Sequence, residues 1–102
     1  MLDNSTPALD EALDIIGSKW TLPIVAALLD NKVRFNDIQR SCTVCPRTLS
    51  ARLDELEQKG IIQTRVVDLD SGRKEYILTE KGRALSNVLS AISQWTQLRT
   101  AS

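Results

Sequence analysis

The sequence predicts an α+β fold, mostly α, in which five helices accompany one two-stranded β-hairpin. Apolar residues recur at helical spacing in several short segments that are separated by Gly, Asn or Pro. One β-branched segment, followed by a glycine-containing turn, predicts the hairpin. The chain has 102 residues, 42% hydrophobic and 25% charged, so we expect it to form a single domain over residues 1–102.

The first two helices are predicted over residues 8–16 and 19–29, after a polar segment, residues 1–7, that is expected to fray. The first has one apolar face at i, i+3, i+4 and i+7, formed by Leu9, Ala12, Leu13 and Ile16. Ser18 is the predicted N-cap of the second helix. That helix is apolar on nearly all sides, so it is expected at the centre of the core.

The third and fourth helices are predicted over residues 37–42, capped by Asn36, and 46–59, with Pro46 in the first turn and Gly60 at the end. Strands follow over residues 61–67 and 74–78, joined by a flexible tip at 68–73. The last helix is predicted over residues 80–98, capped by Thr79. Two short helices with a tight link, then a hairpin, form a winged helix-turn-helix: residues 37–59 are the helix-turn-helix and residues 61–78 the wing.

Positive charge is concentrated in the middle of the chain, although the net charge is zero. Residues 32–53 hold five cations, Lys32, Arg34, Arg40, Arg47 and Arg52, and Asp37 is the one acid among them. A local concentration of this kind favours a polyanionic partner more than the total charge does. The alternative explanation for this basic segment is an ordinary solvated surface.

The fourth helix presents the residues expected of a major-groove reader. If its leucines face the core, Arg47, Thr48 and Ala51 point outward, and Ser50 and Arg52 lie on the flanks. Arginine and hydroxyl groups bind bases or phosphates, and a small residue permits close approach. We therefore predict double-stranded DNA as the partner. The predicted DNA-binding residues are Arg34, Pro46, Arg47, Thr48, Ser50, Ala51, Arg52, Arg73 and Lys74.

Several chemistries are excluded by composition. The chain has no histidine and two cysteines, which removes histidine-based catalysis and a four-ligand thiolate zinc site within one chain. We therefore expect no enzyme activity, no cofactor and no metal. No apolar run approaches the length of a membrane span and no leader opens the chain, which favours a cytoplasmic protein without a membrane partner.

The sequence resembles HxlR-type transcriptional regulators over roughly residues 8–98. The segments that carry the resemblance are ALDIIGSKWTL (12–22), RFNDI (34–38), PRTLSARL (46–53), LEQKGII (56–62) and EYILTEKG (75–82). The resemblance implies a homodimeric DNA-binding protein whose first and last helices, 8–16 and 80–98, build the dimer. The apolar faces of those helices agree with this role and give the predicted interface residues Leu9, Leu13, Leu89, Ile92 and Trp95. The last helix could instead fold back over its own core.

A twofold dimer favours an inverted-repeat operator, with reading helices one DNA turn (~34 Å) apart. Many family members that sense oxidants or electrophiles carry a cysteine just before the first helix, and this chain has none there. Cys42 and Cys45 instead lie in the link between helices three and four, where oxidation would redirect the reading helix. The simpler explanation is a buried small residue and an unusual helix cap.

Two alternative functions remain open at this stage. The first is a winged helix that binds an acidic protein rather than specific DNA. The second is a small thiol oxidoreductase built on Cys42 and Cys45, although the strand-then-helix setting of that redox motif is missing. The operator, the direction of regulation, the inducing signal and any small-molecule effector do not follow from the sequence.

Overall fold

The computed structural model describes residues 7–98 and has the predicted architecture. The elements in chain order are α1 (Pro7–Ile16), α2 (Thr21–Leu29), α3 (Phe35–Cys42), α4 (Pro46–Gln58), β1 (Ile62–Asp68), β2 (Arg73–Leu78) and α5 (Glu80–Gln97). The mostly helical α+β class and the winged arrangement are therefore confirmed. The prediction that residues 1–7 fray lies outside the described residues, except at Pro7, which begins α1.

The predicted N-caps of two helices, α2 and α3, are wrong. Ser18 does not cap α2, because it closes a turn in which the Thr21 amide donates to the Ser18 carbonyl at 3.3 Å, and the helix begins at Thr21. Asn36 lies inside α3, because the Ile38 amide already bonds the Arg34 carbonyl at 2.9 Å. The other boundaries differ from prediction by one residue: α1 begins at Pro7, α4 ends at Gln58, β1 spans Ile62–Asp68, β2 begins at Arg73 and α5 ends at Gln97.

The core is built around α2 and one face of α4. Ile24 and Val25 are completely buried, which confirms the central position of α2. The predicted stripe of α4 is also buried, since it packs against α2 and the strands. The buried apolar residues are Ile24, Val25, Ala27, Leu28, Ile38, Val44, Leu49, Leu53, Leu56, Ile61, Ile62 and Leu78.

The hairpin is antiparallel and is attached to the helices at its base. Ile62 pairs with Leu78, and an irregularity between Val66 and Asp68 brings Asp68 opposite Arg73. Arg73 is therefore the first residue of β2, not part of the flexible tip that the sequence predicted. The Tyr76 amide donates to the Val33 carbonyl at 2.8 Å, so β2 is bonded to the segment that leads into α3.

Thr79 joins the end of the wing to α5. As the predicted N-cap of α5, its hydroxyl accepts from the Gly82 amide at 3.0 Å. The same hydroxyl donates to the Gly60 carbonyl at 2.6 Å, in the turn between α4 and β1. Gly82 packs so closely on the Ile61 carbonyl that a Cβ at this position would overlap it. The turn after α4 and the start of α5 are thus held together.

The two terminal helices leave apolar surface uncovered. None of the residues of α1 is fully buried, and Leu13 is 55% exposed. The helix α5 packs on the core through Leu85 and Leu89, whereas Trp95, near its end, is 71% exposed. Folding back over its own core therefore accounts for only part of α5.

No single helix within residues 7–98 has the length and apolarity to cross a membrane. The helices α1 and α2 reach the required length and apolarity only when they are taken together, and a bend of 74° separates them.

Candidate nucleic-acid interface

The link between α3 and α4 sets the orientation of the exposed helix. Thr43 ends α3 in the left-handed conformation at φ 55°, and Val44 is buried beneath the link. Pro46 then opens α4, where its missing amide proton is not needed. Because the chain turns so tightly, α3 and α4 form a compact helix-turn-helix whose second helix presents its first turns outward.

The outward face of α4 carries most of the residues predicted for it. Arg47, Ser50 and Ala51 are exposed, as is Pro46. Thr48 is half-buried, and its hydroxyl points back to the Cys45 sulfur at 3.9 Å. The exposed first turns of α4 thus combine one arginine, one hydroxyl and one small side chain.

A groove of about 670 Å³ separates the start of α3 from the wing. Four predicted DNA-binding residues from three elements line it: Arg34, Ser50, Arg73 and Lys74. Arg34 immediately precedes α3, Ser50 lies on α4, and Arg73 and Lys74 lie on β2. Residues separated by 40 positions in the chain therefore share one polar, basic surface next to the exposed turns of α4.

Ion pairing divides the cations of this surface into two groups. Arg40 pairs with Asp37 at 2.7 Å, and Arg65 pairs with Glu75 at 3.5 Å. Within residues 7–98, Arg34, Arg47, Arg73 and Lys74 make no ion pair. These four unpaired cations, which we call the free basic set, are all exposed. Their charge is available to an outside anion without first breaking an internal contact.

Arg52 differs from the free basic set. Its guanidinium pairs with Glu55 at 3.0 Å, one turn further along α4. The side chain is half-buried, and its Nε has no hydrogen-bond partner within the described residues. Arg52 therefore lies along its own helix towards the acidic residues of the C-terminal half.

Arg40 is the cation lining the groove to which the sequence analysis gave no role. It lines the groove together with the predicted residues and is 77% exposed despite its pair with Asp37. The signal was present in the basic segment 32–53, where Arg40 was counted but given no role. The i, i+3 spacing from Asp37 also predicts the ion pair.

The two cysteines occupy different environments, and both are free thiols. Cys45 is exposed at the N-cap position of α4, where the amides of Thr48 and Arg47, and then the Thr48 hydroxyl, lower the pKa of its thiol. Partial burial raises the pKa of the Cys42 thiol at the end of α3. The thiolate form is thus favoured at Cys45 and disfavoured at Cys42.

The predicted dimer residues fall into two groups. Leu9, Leu13, Ile92 and Trp95 are all exposed apolar side chains on α1 and the second half of α5. Leu89 is partly buried against the core of its own chain. Within residues 7–98 no cluster of three or more potential metal ligands is present.

Comparison with known proteins points to one group of DNA-binding regulators. The sequence model of the HxlR-like helix-turn-helix family matches residues 15–101. The HTH-type transcriptional regulator YvaP of Bacillus subtilis is 39% identical over 90 residues, which is 87% of this chain and 83% of YvaP.

Two solved structures have the same fold. The reduced form of the transcriptional regulator YodB from B. subtilis superposes with a TM-score of 0.82 at 29% identity, over 99% of this chain and 97% of YodB. The redox regulator HypR in its reduced form gives a TM-score of 0.79 at 35% identity, over 86% of this chain and 88% of HypR.

Proposed function

The chain belongs to the HxlR-like helix-turn-helix family of transcriptional regulators, and from this premise we propose that it binds an inverted-repeat operator as a homodimer. The single observation that carries the proposal is the free basic set. Four exposed cations that make no ion pair with any residue in 7–98 lie on the helix-turn-helix and the wing, which are the two elements that contact DNA in this fold.

The roles of the residues follow from where their elements lie. Arg47, Ser50 and Ala51, in the first turns of α4, read base edges in the major groove, where the helix N-terminus also favours phosphate. Asp54 and Glu57 are exposed further along α4 and repel the phosphates, so only the N-terminal half of the helix enters the groove.

The remaining residues of the site position the protein on the backbone. Arg34, Arg73 and Lys74 line the groove beside the wing and bind phosphates, joined by Arg40 once it leaves Asp37. Pro46 fixes the start of the reading helix. Thr48 and Arg52 hold internal contacts and support the surface more than they read it.

The uncovered apolar surface supports the homodimer. Leu9 and Leu13 on α1, with Ile92 and Trp95 on α5, expose large apolar side chains that one domain of this size has no reason to leave in water. Tryptophan in particular is enriched at protein interfaces. A twofold pair places two reading helices about one turn of DNA apart, ~34 Å, which requires an inverted repeat.

The decisive experiment is selection of bound sequences from a random duplex library with the purified full chain. We expect an inverted repeat whose half-sites are centred about one helical turn apart. Affinity for the selected duplex should fall steeply as salt rises, because counterions are released from the neutralised phosphates. Enrichment of no sequence, together with salt-independent binding, would contradict the proposal and favour the protein-binding alternative.

A thiol response is the second part of the proposal. Cys45 adjoins Arg47 on the reading surface, its thiol pKa is lowered, and the related HypR is described as a redox regulator. Oxidation of the Cys42 and Cys45 thiols by a hydroperoxide forms one disulfide and releases two protons and two electrons, which reduce the peroxide to water or to an alcohol and water. The new bond would bend the link that sets the orientation of α4.

A matched pair of variants tests this response. Peroxide should weaken operator binding by the native chain and leave Cys42→Ser unchanged if the disulfide is responsible. Cys45→Ser should also be insensitive, and a reductant should restore binding to the native chain. If both thiols are consumed and operator affinity stays constant, the thiol response is refuted while DNA binding stands.

A further inference from the structure

A second concave site lies between α1 and α5, and no member of the free basic set lines it. Its volume is about 240 Å³, and its walls are almost entirely apolar. The apolar lining residues are Ala8, Ala12, Ile15, Ile16, Leu85 and Val88 of the two helices, together with Ile61 from the turn before β1. At its rim, the Lys81 ammonium faces the Glu11 carboxylate at 3.8 Å. We propose that this cleft binds a small aromatic ligand that carries one anionic group.

The size of the cleft sets the size of the ligand. An apolar cavity of about 150 Å³ takes up benzene, and drug-sized ligands occupy pockets of about 300–1,000 Å³. At about 240 Å³ the cleft fits one or two fused rings. Alanine at positions 8 and 12 keeps the α1 wall flat, which suits a planar ring, and the branched side chains opposite supply apolar contact.

The charge of the ligand follows from Lys81. This lysine lies in the first turn of α5, where the helix dipole favours an anion. Its present partner, Glu11, is 70% exposed and Lys81 is 56% exposed. An ion pair this exposed contributes little. A carboxylate bound inside the cleft can therefore take the place of Glu11 and gain the apolar burial of its ring as well.

A second copy of the chain is a poorer occupant than a small molecule. The exposed apolar residues assigned to the dimer, Leu9, Leu13, Ile92 and Trp95, are absent from the lining of this cleft. The two surfaces adjoin at Val88, which lines both the cleft and the groove beside Ile92 and Trp95, but the cleft itself lies between α1 and α5 of one chain.

The cleft is connected to the reading helix through α1. Lys59, immediately after α4, donates to the Asp14 carbonyl at 2.6 Å and lies 3.5 Å from the Asp14 carboxylate. Ile15 packs α1 against the core, and Lys59 and Lys81 add exposed polar contacts to this helix. A ligand in the cleft contacts α1 directly and, through Asp14 and Lys59, is connected to the C-terminal end of α4. This coupling, unlike the ligand site itself, rests on the proposed DNA-binding function.

Calorimetry with naphthalene-2-carboxylate tests the site, and naphthalene-2-carboxamide serves as the neutral isostere. We expect the carboxylate to bind about tenfold more tightly than the carboxamide, because it gains a charge-assisted contact to Lys81. Lys81→Met should remove this preference without disturbing the fold. Ala12→Phe fills the cleft and should abolish binding of both compounds, whereas Ala84→Phe, on the exposed face of α5, should not.

The outcomes separate the site from the proposed function. Failure of the carboxylate to bind, or equal binding of the carboxylate by the native chain and Ala12→Phe, overturns the ligand site. Loss of the dimer in Ala12→Phe, with carboxylate binding unaffected by Lys81→Met, assigns the cleft to the dimer interface and also overturns it. If the carboxylate binds with the Lys81 preference but no duplex is bound, the site stands and the DNA-binding proposal fails. If both bind, saturating carboxylate should change operator affinity, and Asp14→Ala with Lys59→Met should abolish that change.

Discussion

Removal of the Arg47 side chain is the sharpest test of the reading surface. Arg47 is exposed at the second position of α4 and makes no ion pair within the described residues. Arg47→Ala therefore leaves no buried group unsatisfied, and alanine is at least as good a helix former. Any loss of operator affinity then reports a contact with DNA and not a change of fold.

The expected loss for Arg47→Ala is about 1–3 kcal/mol on the selected operator, or roughly 5- to 150-fold in Kd, the range for one arginine contact to a base. Titration of a labelled operator and of a scrambled duplex at the same salt measures it. We expect a smaller effect on the scrambled duplex, because the lost contact reads sequence.

Two further substitutions serve as matched controls. Arg52→Ala removes a side chain that is already paired with Glu55 at 3.0 Å, so we expect it to weaken operator binding by less than about 1 kcal/mol. Lys74→Ala should weaken both duplexes equally and reduce the slope of log K against log salt by about 0.9, the amount for one phosphate contact. Operator affinity unchanged by Arg47→Ala would show that α4 does not read the groove.

Three other changes test different parts of the structure. Cys45 should be alkylated before Cys42 at neutral pH, and its alkylation rate should rise at a lower pH than that of an ordinary thiol, because the pKa of the Cys45 thiol is lowered. Peptide mapping after brief iodoacetamide treatment measures the order of alkylation. Equal alkylation rates at the two cysteines would contradict the assigned environments. Gly82→Ala should destabilise the fold by about 1–3 kcal/mol in urea denaturation, because the new methyl group overlaps the Ile61 carbonyl; wild-type stability would disprove that close packing. Trp95→Ser should raise the dimer dissociation constant in sedimentation experiments without lowering helix content, and an unchanged constant removes α5 from the interface.

The fold was predictable because each element has its own local signal. The leucine stripe of α4, Pro46 at its start and the Thr79 cap of α5 each act within one or two turns of chain. Ser18 and Asn36 were wrong as caps for a related reason. Both residue types satisfy backbone groups in turns as readily as at helix ends, and the neighbouring chain decides between the two.

The site was predictable as a set of residues and not as a surface. Arg47 and Ala51 follow from the helical period once the leucines are placed inside. The groove depends on β2 lying beside the start of α3, a contact between distant parts of the chain that no local pattern specifies. The ion pair between Arg52 and Glu55, which keeps Arg52 out of the free basic set, could by contrast have been expected from their i, i+3 spacing.

The bond between the Tyr76 amide and the Val33 carbonyl has a consequence for how the surface meets its partner. It fastens the wing to the residue before Arg34, and Thr64 of β1 donates to Glu57 of α4 at 3.0 Å on the other side. These two hydrogen bonds tie the hairpin to the segment that leads into α3 and to α4. We therefore expect the surface to bind its partner with little rearrangement of the wing, so that little conformational entropy is lost on binding.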